Sequence, residues 1–186
     1  MNMFPLNTVL LVIDVQKAFD DPSWGRRNNL SAENNIAQLI QKWRSTERCI
    51  IHIQHCSPRP ESLFHRSRRG FEVKPEAEPL STELIIYKAV NSSFIGTDLE
   101  MHLRSKKDAP LVICGITTDH CVSTTTRMAG NLGFKAYIVS DGTATFERKG
   151  PDGKLYTAEQ MHDTALASLH KEFATVVDTS SILGMA

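Results

Sequence analysis

The residues best able to do chemistry in this chain stand at or just beyond the ends of apolar runs. Asp14 closes TVLLVID, Lys88 closes ELIIYK, and Cys121 lies six residues past the end of PLVICG. A carboxylate at the end of a buried run is costly unless it is paired, and a lysine is a suitable partner. A thiol beside such a pair can act as a nucleophile. Its proton passes to the carboxylate, which can later deliver it to a leaving amine. A helix start and a nearby lysine both lower a thiol pKa, so an activated Cys121 is expected. Cysteine is also among the most often buried residue types. The residue alone therefore leaves Cys121 open between core packing and nucleophile. Cys114 lies inside an apolar run and reads as core. Cys49 and Cys56 flank another run and have no partner motif. There is no CxxC pair, so all four cysteines are expected to be free thiols.

The elements that must position these residues alternate. Six β-rich runs read as strands: 8–14, 49–55, 83–88, 110–115, 136–141 and 174–179. Between them lie helical patterns. In SAENNIAQLIQKWR, Ser31 is the expected N-cap, and Ile36, Leu39, Ile40 and Trp43 share one face. IGTDLEMHLRSK reads as a helix capped by Thr97. Residues 119–132 read as a helix closed by Gly133. In TAEQMHDTALASLHKEF, the residues Ala158, Met161, Ala165 and Leu169 are expected to face inward. Alternation of this kind predicts a three-layer α/β/α Rossmann-like fold with a six-stranded, mostly parallel sheet, in one domain over 1–186. Ligands of such sheets bind beyond the carboxyl ends of the strands, where strand order reverses. That is the edge at which Asp14, Lys88 and Cys121 lie. Two stretches break the alternation, 15–30 and 56–82, and connections this long are usually functional or interfacial. The second carries Arg59, Arg66, Arg68 and Arg69, which read as a solvated or subunit-contacting loop before an anion-steering patch. The run of three threonines in GITTDHCVSTTTRMAG is odd for a helix, because branched Cβ atoms lose rotamer freedom there.

Composition narrows the functional classes. The 186 residues carry 21 Lys+Arg and 21 Asp+Glu, a net charge of zero, which argues against a nucleic-acid binder or a polybasic membrane protein. No apolar run is long enough to span a bilayer, and the N-terminal stretch lacks the positive region of a signal peptide. A cytoplasmic location is the expectation. Neither G-x-G-x-x-G after the first strand nor G-x-x-x-x-G-K-[ST] occurs, so no dinucleotide or P-loop site is expected.

Taken together, LLVIDVQ, IIYKAVNSSF and CGITTDHCVSTT resemble the isochorismatase-like cysteine hydrolase superfamily, which includes nicotinamidases, streptothricin hydrolases and carbamoyl-amide hydrolases. The resemblance runs from the first strand to the last helix. It implies Asp14, Lys88 and Cys121 as a catalytic triad, and a non-proline cis peptide between Ile116 and Thr117. It also implies an oxyanion hole of the Thr117 and Cys121 N–H groups, with Phe94 lining the pocket. FDDPSWGRRNN looks most like the streptothricin-hydrolase branch, which suggests Phe19 and Trp24 as pocket walls. His120 reads equally as a pocket residue or an exposed side chain. Nicotinamidases carry a metal site with an Asp-x-His pair after the second strand. Here HIQHCSPRP has no acid in that pair, and His52 and His55 point to opposite faces of a strand; with His65 they are not expected to hold a metal. No cofactor is implied, and the partners expected are a small-molecule substrate and further copies of the chain, as homodimer or homotetramer. Family members that cleave a vinyl ether do not need the cysteine, so its presence favours acyl transfer to Cys121. Vinyl-ether cleavage by Asp14 as general acid, and a vestigial site that only binds small molecules, are the alternatives.

Overall fold

The first strand, β1 (Val9–Ile13), is wholly buried, and its pleat divides the molecule. Val9, Leu11 and Ile13 face one core layer, while Leu10 and Val12 face the other. β4 (Leu111–Ile116) splits the same way, with Leu111 and Ile113 on the first side and Val112 and Cys114 on the second. A strand apolar on both faces needs cover on both, and this requirement builds the three layers. In this computed structural model, which describes residues 4–107 and 109–186, α1 (Ala32–Ser45) and α5 (Thr179–Met185) cover one face. On the other lie α2 (Leu99–Arg104), α3 (Ser123–Asn131) and α4 (Ala158–Leu169). Residues 1–3 and 108 of the expected 1–186 domain lie outside the described residues.

The sheet comprises β2 (Ile50–His55), β3 (Leu84–Lys88), β5 (Ala136–Ala144) and β8 (Thr175–Val177) besides β1 and β4. Its order is β3-β2-β1-β4-β5-β8, and every pair is parallel. From β1 the chain steps outward through β2 and β3, then returns to β4 on the other side. The reversal therefore falls between β1 and β4, the position from which Asp14 and Cys121 emerge. Close approach of these two strands requires a glycine. A Cβ on Gly115 would meet Ile13 O at 2.0 Å, and its φ is +132°.

Several local expectations are corrected. Ser31 precedes α1 but makes no capping bond. Asp98 is the residue before α2, and Thr97 Oγ1 instead accepts from Leu99 N at 3.3 Å and donates to Ser93 O. The helix expected over 119–132 begins as a π-helical turn, Thr118–Val122, and becomes α-helical at Ser123. In α4 the buried residues are Ala158, His162, Leu166 and Leu169; Met161 and Ala165 are only half-buried. His162 takes the inward place because Thr118 Oγ1 meets its Nδ1 at 2.9 Å, which satisfies a polar ring in the core. The sequence reading also missed a small hairpin, β6 (Arg148–Lys149) with β7 (Leu155–Tyr156), and α5.

Candidate active site

Asp14 leaves β1 with φ 50°, a left-handed conformation for a non-glycine residue, at a cost of about 1–2 kcal/mol. Its backbone is fixed on both sides: Asp14 N donates to Ile53 O, and Gln16 N donates to Asp14 O. Gln16, itself fully buried, ties this exit to β2. Its Oε1 accepts from His55 N at 2.8 Å, and its Nε2 donates to His55 O and to Phe71 O.

Lys88, at the end of β3, reaches past β2 into the same space. Its Nζ donates to Asp14 Oδ2 at 2.6 Å, Cys121 Sγ at 3.2 Å and Val90 O at 3.2 Å, and stands 3.3 Å from His55 Nδ1. The Lys88 and Asp14 side chains are 0% and 1% exposed, so this is a desolvated ion pair. Removing one partner of such a pair costs about 3–5 kcal/mol. Burial alone would pull the Lys88 ammonium down, but the charge of Asp14 and the contact with Cys121 outweigh it, and its pKa is raised. Asp14 Oδ1 is buried with no hydrogen-bond partner. An acceptor left free inside a folded protein calls for an explanation, and here it stands where a proton could be received.

Cys121 is buried in the π-helical turn after β4. The peptide between Ile116 and Thr117 is cis. Thr117 O accepts from His120 N and Val122 N, both at 3.2 Å, and passes over the Cys121 N–H between them. The expectation of a lowered thiol pKa is reversed. Burial first, then the Asp14 carboxylate, push the Cys121 thiol up to about 12, and Lys88 only partly offsets them. The resting thiol is therefore protonated.

The turn is braced on three sides. Asp119 accepts from Thr145 Oγ1 at 2.5 Å and Arg148 Nε at 2.7 Å. Thr118 is held by His162. Thr125 Oγ1 accepts from Ser93 N at 3.0 Å and so fastens the loop after Lys88 to α3. Thr126 Oγ1 donates to Val122 O, the back-bonding open to threonine in a helix. The threonine run thus joins the lysine loop to the cysteine turn.

The remaining expected site residues fall in three places. Phe19 and Trp24 pack with Phe64, Phe146 and Ile116 in one cluster, Phe19 almost fully buried and Trp24 partly open. Phe64 comes from the long 56–82 stretch, which therefore folds back over the strand ends. Phe94 stacks on Phe134 at 6.0 Å within the core cluster that also holds Cys121. His120 is exposed, with Arg148 Nη2 3.5 Å from its Nδ1. The site residue that the sequence reading did not assign is His55. Alternation along β2 put it on the face opposite His52, which is buried against Glu83 at 2.9 Å. The signal was present but was read only against a metal site.

Donor atoms of Asp14, His55 and Cys121 lie within 4.8 Å of one another, a spacing open to a metal ion. Lys88 Nζ stands in contact with all three. An ammonium holds the place a cation would take, so these residues do not fit a divalent metal.

Comparison with known proteins agrees with this architecture. The family model described as "Isochorismatase domain" matches residues 8–181. The isochorismatase family protein YrdC of Bacillus subtilis is 49% identical over 94% of this chain and 93% of its own length. A crystal structure of an isochorismatase-family protein from Chromobacterium violaceum superposes with a TM-score of 0.96 at 40% identity, covering 100% of this chain and 96% of that one. A streptothricin hydrolase of Streptomyces noursei is 27% identical over 74% of this chain and 50% of its own.

Proposed function

The chain belongs to the isochorismatase family of hydrolases, and from that premise we propose that it cleaves a C–N bond of a small amide, lactam or carbamoyl compound through a thioester on Cys121. The observation that carries this reading is the placement of Lys88 Nζ, bonded at once to Asp14 Oδ2 and Cys121 Sγ, with Asp14 Oδ1 left free beside them.

Because the resting thiol is protonated, deprotonation accompanies attack. The Cys121 proton moves to Asp14 Oδ1, and the sulfur bonds to the substrate carbonyl carbon. The electron pair of the carbonyl passes to its oxygen, facing the N–H groups of Thr117 and Cys121. Collapse expels the amine, which takes the proton from Asp14. Water then gives a proton to Asp14 and attacks the thioester. The thiolate leaves, recovers that proton, and the acid is released. Lys88 keeps Asp14 ionised and oriented until each transfer. Trp24 and its aromatic neighbours, with Phe94 beyond Cys121, form the apolar side of the substrate space. The streptothricin hydrolase relative supports hydrolysis of a small molecule.

We also propose a homodimer or homotetramer, supported by exposed Leu30, Ile95, Met101 and Leu155 on the isolated chain. The test of the chemistry is Cys121→Ala against a panel of small amides and lactams. Turnover should fall by at least about 10³-fold. Undiminished turnover would remove Cys121 as nucleophile, and cleavage of isochorismate kept in Cys121→Ala but lost in Asp14→Asn would favour the vinyl-ether reading.

A further inference from the structure

His55 is a polar side chain of the site that the mechanism above does not use. Its backbone is clamped by Gln16 on both N–H and C=O. Its ring is held edge-on by Phe64, with centroids 5.2 Å apart at 70°. Lys88 Nζ lies 3.3 Å from Nδ1, and an ammonium has donors only. An Nδ1–H would point at that ammonium with nothing there to accept it, so in the neutral imidazole the proton sits on Nε2. Among the described residues no acceptor meets that Nε2–H, and His55 is half-buried rather than sealed. A ring nitrogen of His55 stands within 4.8 Å of Cys121 Sγ, so the ring lies beside the carbon under attack.

We infer that the His55 Nε2–H, fixed in that tautomer by Lys88, is a specificity-determining donor that selects substrates carrying a second hydrogen-bond acceptor next to the scissile carbonyl. Selection of this kind is strong, because a substrate without the acceptor leaves the donor unpaired. The class expected is an amide with a carboxylate, carbonyl or hydroxyl oxygen on the neighbouring carbon. This rests on the thioester reading for what the substrate is, but the tautomer and the binding preference can be measured without turnover.

Two substitutions separate the two ring nitrogens. Asparagine can place its oxygen where Nδ1 faces Lys88 and offers nothing at Nε2. Glutamine can place an N–H near Nε2. The probes are malonamate and isovaleramide, which share a shape and differ in carboxylate against isopropyl. Binding is read by saturation-transfer NMR in the Cys121→Ala background. Malonamate should bind at least about tenfold tighter than isovaleramide. His55→Asn should abolish that preference, and His55→Gln should keep it within threefold. In the full chain at pH 8, side-chain ¹⁵N NMR should show His55 as the neutral Nε2–H tautomer. Equal binding of the two probes, or of malonamate to both variants, overturns the inference, as does an Nδ1–H tautomer. If Cys121→Ala hydrolyses malonamate, the thioester reading fails while the His55 comparison stays readable.

Discussion

At the scale of single residues, the structure converts a list of reactive types into a circuit with a direction. Asp14 raises the thiol pKa and Lys88 lowers it, so the two carboxylate functions separate experimentally. Asp14→Asn should abolish turnover, by about 10²–10⁴-fold, yet speed alkylation of Cys121, because the charge that holds the thiol protonated is gone. Mass spectrometry of Cys121 labelling against pH tests this; slower labelling in the variant would contradict it. His55 sets the acid limb. Burial first, then Lys88, hold its pKa below the ordinary 6.5, against a pull upward from Asp14. Activity should persist below pH 6.5 and fall once His55 gains a proton facing Lys88, with Asp14 and Cys121 the other ionisable groups facing that ring. The trio was legible in the sequence because each member closes or follows an apolar run. The thiol's protonation was not, since burial depends on packing that no local pattern shows.

At the scale of elements, the site depends on how β1 and β4 approach and how the turn after β4 is braced. Gly115→Ala places a Cβ against Ile13 O and should destabilise the fold by about 3 kcal/mol or more, read as a lowered denaturation midpoint. The Asp119–Arg148 bond acts further out. Arg148→Gln should leave folding nearly unchanged but lower kcat more than it raises KM, because the cysteine turn loosens while the apolar walls stay. Continuous apolar runs made five of the six strand ends readable to within a residue or two. β5 was the exception, running on to Ala144 past a register shift between Ile113 and Gly115. The hairpin at 148–156 escaped because two-residue strands carry no period. The inward face of α4 was misjudged at Met161 and Ala165 because a buried histidine took the place of an apolar residue.

At the scale of the whole molecule, two long connections are pinned to α1 by an ionic knot around Glu33. Burial raises the Glu33 carboxyl, but bonds from Arg27 and Lys74 outweigh it and hold the pKa at about 2. Lys74 also bonds Asp20, so 15–30 and 56–82 are tied together. Glu83 is likewise brought to about 2, its burial outweighed by Arg44, Leu80 N and His52. These carboxylates are depressed, so their stabilisation is present above about pH 4.5 and lost as pH falls toward 2. His52, His55 and His162 are all lowered, chiefly by burial. The unfolded chain binds those protons first, so stability should already decline as pH drops below about 6.5. Denaturation midpoints from pH 8 to 3 check both steps; a flat profile between 7 and 5 would contradict the histidine part. Size-exclusion chromatography with light scattering should give twice or four times the 20.8 kDa of one chain. No helix of the described residues is long and apolar enough to cross a membrane.

The central claim is a covalent bond between Cys121 and the acyl part of the substrate. The most direct measurement is intact-protein and peptide mass spectrometry after acid quench during turnover of an amide from the panel. The account predicts a mass increase equal to the acyl group, located on the peptide that contains Cys121 and absent in Cys121→Ala. An unmodified Cys121 throughout turnover, with Cys121→Ala hydrolysing the same amide at the wild-type rate, would contradict it.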